Sequence, residues 1–277
     1  MMMEQRPASP MPNPFQTASR IAAQSGLRMA HQVRSGAVSL LFPPVCACCS
    51  KVLCADASGD GQAPMPNCCD ECIAALAKPY NACPCCASRD PGTASDGRCF
   101  ACRDRRFQFR WAVALGPYEG VLREAVLRTK KPAEHGLTAA LTELLWQRCG
   151  PRLVEIRPDA VAAVPMHWWH RLRRGGNGPD IVSELLSRRL RAASLPNLLS
   201  RRRNTLPQSN LAQQRRKLNV RRAFRVARSY TLDGARIVLV DDILTSAATA
   251  HEAASTLRAA GAAEVVVAVL ARADRPG

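Results

Sequence analysis

Four Cys-x-x-Cys pairs crowd one stretch of the chain: Cys46 with Cys49, Cys69 with Cys72, Cys83 with Cys86, and Cys99 with Cys102. Two thiolates on one tight turn offer half of a tetrahedral ligand set, and a second pair about 10 to 20 residues away completes it. Eight such ligands suit two zinc ions. Taken in order, Cys46, Cys49, Cys69 and Cys72 hold one ion and Cys83, Cys86, Cys99 and Cys102 the other; a cross-brace that interleaves the pairs meets the same count. Cys48, Cys68 and Cys85 sit beside these positions and can substitute for them, and Cys54 is left over. Paired knuckles are not the spacing of a disulfide scaffold. A redox pair belongs at a helix start beside a βαβ unit, whereas these pairs lie among Gly, Pro and Asp. The segment is poor in apolar residues, so metal is expected to supply the stability that a core cannot. Cys149 stands apart in a helical context and reads as core.

After Cys102 the pattern turns to strands alternating with helices. Trp111 to Leu115 reads as a strand, Val121 to Lys130 as a helix, residues 134–148 as a second helix, and Ala160 to Met166 as an apolar strand stopped by Pro165. A helix from Pro179 to Arg191 follows. Next come a hairpin around Arg225 to Ala227 and Asp233-Gly234, a strand from Ile237 to Val240, and a last strand from Val265 to Leu270. Continuous apolar runs mark strands covered on both faces, so the expected fold is α/β, a parallel sheet with helices on both sides. Lys130 and Lys131 close the first helix, where they suit its dipole or a bound anion equally.

One turn in this series carries chemistry. Behind the strand Ile237 to Val240 come Asp241 and Asp242, then Ile243-Leu244, then the small residues Thr245, Ser246, Ala247, Ala248 and Thr249. Apolar residues at Ala250, Ala253, Ala254 and Leu257 place an amphipathic helix next, its unpaired first-turn N–H groups aimed at the loop. Carboxylates accept from a diol, and backbone N–H and hydroxyl groups donate to a phosphate dianion. Asp241 to Thr249 resembles the phosphoribosyl pyrophosphate (PRPP) motif of type I phosphoribosyltransferases. That resemblance implies that Asp241 and Asp242 hold the ribose hydroxyls and that Thr245, Ser246, Ala247, Ala248 and Thr249 hold the 5′-phosphate. Ala247 stands where that family usually has glycine, and its Cβ is expected to narrow the approach of phosphate to the backbone.

Positive charge is concentrated upstream of this loop. Arg171 to Arg225 contains fourteen arginines and Lys217 against only Asp180 and Glu184, and it accounts for most of the chain's formal net charge of +17. Arg171, Arg173, Arg174, Gly175, Gly176, Asn177 and Gly178 form a basic glycine-rich loop between a strand and a helix, with bidentate capacity for phosphates. Arg201, Arg202 and Arg203 make one cluster, and Arg215, Arg216 and Lys217 another. This density exceeds what one phosphosugar needs and suits a polyanion such as single-stranded DNA. Trp168 and Trp169 either stack on bases or cap the core.

The remaining composition sets bounds. The 277 residues hold one sizeable core plus a smaller module, with 47% hydrophobic content. No apolar run approaches the roughly 18 residues that span a bilayer, and the N-terminal residues do not read as a secretory leader, so the expectation is a cytoplasmic protein. Residues 1–39 mix Pro, Gln, Ser and Ala and read as a disordered or weakly helical tail.

Together these features resemble the ComF family. They are the four cysteine knuckles, Val164-Pro165 with the downstream Arg174-Gly175-Gly176-Asn177-Gly178, then Gln208, Leu211, Arg216, Asn219-Val220 and Ala223-Phe224, and finally the Asp-Asp loop. The resemblance runs from about Leu40 to Arg272 and implies a zinc-binding module over 40–108 and a type I phosphoribosyltransferase-like domain over 109–277. It further implies a role in competence and DNA uptake, on single-stranded DNA and beside the competence or recombination machinery, with PRPP-like phosphates in the loop through Arg174 and Asn177 as well. An alternative is an active phosphoribosyltransferase that uses PRPP and magnesium, with Asp241 and Asp242 as its catalytic pair and an unnamed acceptor base. The loop Arg174 to Gly178 lacks the aromatic and the amide of the family's usual Arg-Gly-Phe-Asn-Gln, which weakens any base contact there.

Overall fold

The computed structural model describes residues 43–53, 67–89, 97–103, 105–165, 178–201 and 223–274. The expected tail, the loop Arg171 to Asn177 and the clusters from Arg202 to Lys217 lie outside the described residues. In chain order the elements are α1 (Asp70–Leu76), the single turn α2 (Phe100–Arg103), β1 (Ala112–Pro117), α3 (Gly120–Arg128), a 3-10 turn (Pro132–Glu134), α4 (His135–Glu155), β2 (Ala160–Ala163), α5 (Gly178–Leu190), β3 (Ala193–Ser194), β4 (Leu199–Arg201), β5 (Phe224–Val226), β6 (Arg236–Leu244), α6 (Ala248–Ala259) and β7 (Glu264–Arg272).

Five strands form one sheet in the order β1-β7-β6-β2-β3, and every pairing in it is parallel. The fold is α/β, as the apolar runs require. On one face, α6 lays Ala250, Ala253, Ala254 and Leu257, the small side of an i, i+3, i+4, i+7 stripe, over Ile237, Leu239, Val265, Val267 and Val269. The alternate residues Val238, Val240, Val266 and Ala268 are fully buried on the opposite side, where α4 and α5 pack against the sheet. Each such valine contributes about 1.5–3 kcal/mol when fully buried. Gly261 ends α6 at φ +103°, and a Cβ there would stand 2.7 Å from Asp233 Oδ1, so only glycine makes this turn.

Two local expectations change. The strand expected to stop at Val240 runs on to Leu244, because β7 remains beside it: Asp241 pairs with Val269, Ile243 with Ala271 and Leu244 with Arg272. The expected hairpin leading into β6 does not form. Instead β5 pairs antiparallel with β4, Leu199 opposite Val226 and Arg201 opposite Phe224, in a separate two-stranded sheet. Phe224 and Leu199 thereby enter the apolar cluster beneath α6.

The topology also locates a crevice. From β2 the chain passes through α5 outward to β3, and from β6 it passes through α6 in the other direction to β7. Adjacent parallel strands whose connections diverge leave a cleft beyond their carboxyl ends, and ligands of open α/β sheets bind there.

Candidate functional site

Pairing between β2 and β6 reaches Ala163 opposite Val240, and Val164 N–H closes it on Val240 O at 2.8 Å. Beyond that point, among the described residues, β6 pairs with β7 alone, and Asp241 and Asp242 lie past the last β2 pairing. Short local bonds orient both carboxylates: Asp242 N–H donates to Asp241 Oδ1 at 2.9 Å and Ile243 N–H to Asp242 Oδ1 at 2.8 Å. Burial, and then the neighbouring Asp242 charge, push Asp241 well above the usual carboxylate range, with Arg201 opposing only in part.

Lys130 pairs with these acids, and Arg201 feels their charge. Lys130, at the end of α3, brings Nζ to 3.6 Å from Asp242 Oδ2, with both side chains mostly buried. The structure pairs Lys130 with Asp242, a partner neither sequence reading named. Arg201 on β4 sets its guanidinium 5.4 Å from the Phe224 ring centre, and burial lowers its pKa while the Asp241 charge raises it. Arg201 was expected with the polyanion-binding arginines; its described side chain is half-buried, at the Phe224 ring.

Thr245, Ser246 and Ala247 connect β6 to α6. Thr245, Ser246, Ala248 and Thr249 are half-buried. Ala247 has φ 61° and ψ 7°, a left-handed conformation that costs an L-residue about 1–2 kcal/mol. Its methyl group is not in the cradle. Ala247 is 4% exposed and belongs to the apolar cluster under α6, so the Cβ packs into the core, where burying a methyl-sized group returns about 0.8 kcal/mol. No side chain caps α6; Ser246 Oγ accepts from Ala248 N–H at a long 3.4 Å. The positive end of the helix dipole therefore faces the loop, an arrangement suited to phosphate.

Arg272, the last residue of β7, is 6% exposed and holds the start of this loop. Its Nη1 donates to Leu244 O at 2.7 Å and to the Thr245 and Ala273 carbonyls, while its Nε donates to Cys86 O at 2.9 Å. Sequence reasoning passed over this residue. The signal was an arginine ending a strand buried on both faces, where a cation persists only if fully hydrogen-bonded.

The cysteines form two tetrads. The Sγ atoms of Cys46, Cys49, Cys69 and Cys72 all lie within 4.8 Å of one another, as do those of Cys83, Cys86, Cys99 and Cys102. The two repeat one design. Ser50 and Ala87, each just past a Cys-x-x-Cys turn, have positive φ, and Ser50 N–H and Ala87 N–H bond back to Cys46 O and Cys83 O at 2.8 and 2.9 Å. The second pair of each tetrad sits at a helix start, Cys69 and Cys72 on α1, Cys99 and Cys102 on α2. Backbone N–H groups of Cys49 and Cys69 point at Cys46 Sγ, and that of Cys99 at Cys83 Sγ. These donors favour thiolate. Burial works against ionisation of Cys46, but the N–H groups around it outweigh burial and bring it down to about 6. A hydrogen bond from Cys102 brings Cys86 down to about 5, against burial and with help from Arg272. Burial pushes Cys99 up to about 11. Four thiols this close do not all ionise without a cation, so each tetrad suits a metal ion. Cys48 and Cys68 lie beside the first tetrad and Cys85 beside the second, outside both groups; Cys54 is outside the described residues. Cys149 is buried, and burial raises its pKa to about 11.

Arg171, Arg173, Arg174, Asn177, Arg202, Arg203, Arg215, Arg216 and Lys217 lie outside the described residues. Among the described residues, no helix is long and apolar enough to cross a membrane.

Comparison with known proteins agrees with this architecture. Residues 184–276 match the phosphoribosyl transferase domain family. The chain is 33% identical over 165 residues to Competence protein F of Haemophilus influenzae, covering 58% of this chain and 72% of that protein. It is 30% identical over 207 residues to the DNA utilization protein YhgH of Salmonella typhimurium and to that of Escherichia coli, covering 74% of this chain and 89% of each. With a parallel α/β domain, two cysteine tetrads before it and these relatives, the chain belongs to the ComF family.

Proposed function

We propose that this protein serves DNA uptake by binding single-stranded DNA and a PRPP-like phosphate through its phosphoribosyltransferase-type fold. The observation that carries the reading is the crevice beyond β2 and β6, where Asp241, Asp242 and Lys130 stand beside the uncapped start of α6. Carboxylates for a diol, a cation for a pyrophosphate and a helix N-terminus for a 5′-phosphate are the donor set that a phosphoribosyl group asks for. The names of the relatives, competence and DNA utilization, and the arginines between Arg171 and Arg225 supply the DNA half.

In this reading Asp241 and Asp242 orient the ribose, Thr245 to Thr249 hold the 5′-phosphate, and Arg272 keeps the loop open from beneath. Residues 40–108 form the zinc-binding module, with one zinc ion on Cys46, Cys49, Cys69 and Cys72 and one on Cys83, Cys86, Cys99 and Cys102; residues 109–277 form the phosphoribosyltransferase-like domain. The two four-sulfur sets, the second of them fully buried, fit Zn²⁺, which would supply structural cross-links there. The protein acts on the cytoplasmic side, in contact with competence or recombination machinery. Lys130 also favours a second reading, transfer of the ribose phosphate from PRPP to a base with magnesium bound, because a cation at Asp242 steadies a departing pyrophosphate.

Gel shifts across a salt series test the DNA half. Arg201 is half-buried at the Phe224 ring, so the informative variant replaces Arg202, Arg203, Arg215, Arg216 and Lys217 by Ala and leaves it intact. Affinity for single strands is expected to fall steeply with salt and to collapse in that variant. Binding that ignores salt, or no binding at all, sinks the reading.

A further inference from the structure

We infer that the exposed ring of Phe100, set among arginines on the second cysteine tetrad, is a stacking site for a base of single-stranded nucleic acid. The inference rests on the DNA-binding reading above and names a place that reading left empty.

Phe100 is 73% exposed, the most open of the exposed large apolar side chains among the described residues and the one aromatic ring in that group. It stands between Cys99 and Cys102, which are 2% and 1% exposed and belong to one tetrad. A ring carried on a turn between two buried cysteines has its backbone fixed, so less conformational freedom is lost when a base stacks on it. Its surroundings are cationic. Arg98, Arg103, Arg105, Arg106 and Arg110 lie within ten residues of it in sequence against Asp90, Asp96 and Asp104; Arg98, Arg103 and Arg106 are exposed, and Arg110 pairs with Glu264 at 2.8 Å. The Arg103 guanidinium lies 5.3 Å from the ring centre. A base stacks more strongly than the exposed cation–π pair it joins or displaces, and the arginines then meet the phosphates on either side.

One ring among cations suits a nucleobase better than other acidic partners. An acidic peptide needs the arginines but has no use for the ring, and a membrane surface asks for an apolar face rather than a single side chain.

The test is fluorescence anisotropy with labelled oligothymidylate, comparing the zinc-loaded full chain with F100A and F100W. F100A is expected to lose roughly 5- to 150-fold in affinity with an unchanged salt slope, because stacking releases no counterions. F100W is expected to retain binding, and an abasic strand with the same phosphates is expected to bind wild type and F100A alike. If wild type binds and F100A matches it, the stacking site is wrong while the DNA reading stands. If wild type itself does not bind, the DNA reading fails and takes the site with it. If F100A leaves oligothymidylate untouched but abolishes binding to polyglutamate or to phosphatidylserine vesicles, the ring serves a protein or a membrane instead.

Discussion

Arg272 joins the second cysteine tetrad to the candidate phosphate loop: its guanidinium donates to Cys86 O at 2.9 Å and, from the same fork, to Leu244 O at 2.7 Å. A planar donor fork explains the choice of arginine, since lysine cannot reach carbonyls on both sides of β7 at fixed angles. The tetrad and the loop therefore share one rigid support.

Replacing Arg272 by Gln strands the Cys86 and Thr245 carbonyls, while Leu244 O keeps Ala273 N–H at 3.0 Å. Each lost partner costs about 1–3 kcal/mol, so unfolding by urea is expected to show a loss of about 2 kcal/mol or more. Arg272→Lys is expected to recover only part of it. A Gln variant as stable as wild type contradicts the role given to this side chain.

Asp241 sets a pH dependence of known sign. Folding raises its pKa through burial and the Asp242 charge, so its stabilising contribution is whole below the ordinary carboxylate pKa and is lost as pH rises through the folded value. Asp241→Asn removes a buried charge. At neutral pH it is expected to stabilise the protein by about 1 kcal/mol, raising the melting temperature by about 2–4 °C, and to flatten the pH profile above pH 4. Melting curves across pH for both proteins check this; a variant less stable than wild type at neutral pH contradicts it.

Metal content follows from the tetrads. Purified protein is expected to carry two zinc ions per chain by elemental analysis, with Cys46→Ser and Cys83→Ser each losing one. Because metal binding is folding free energy for so small a module, a chelator is expected to expose residues 43–103 to protease before the sheet domain is cut. Two ions retained in Cys83→Ser contradict the grouping.

The sequence made some of this visible and hid the rest for physical reasons. Cys-x-x-Cys spacing, apolar runs and the stripe Ala250 to Leu257 are local patterns with local causes, and they anticipated the tetrad members, the strands and α6. The extent of β6 was not local. Asp241 to Leu244 reads as a turn until β7 is known to continue beside it to Arg272. Pairing of β5 with β4 is long-range in sequence, so the run Arg225 to Ala227 was assigned to the nearer strand. Lys130, Arg201 and Arg272 reach their sites only through tertiary packing; nothing in the sequence around Lys130 distinguishes an anion ligand from a helix-end lysine. Ala247 taught the reverse lesson. Its Cβ, read as an obstruction to phosphate, packs into the core.

Titration calorimetry of the zinc-loaded protein with PRPP and Mg²⁺ tests the central claim, that the crevice beyond β2 and β6 binds a phosphoribosyl group. Wild type is expected to give a saturable heat, the Asp241→Asn, Asp242→Asn double variant none, and Lys130→Ala a binding roughly tenfold weaker. Heat unchanged in the double variant, or absent from wild type, contradicts the account.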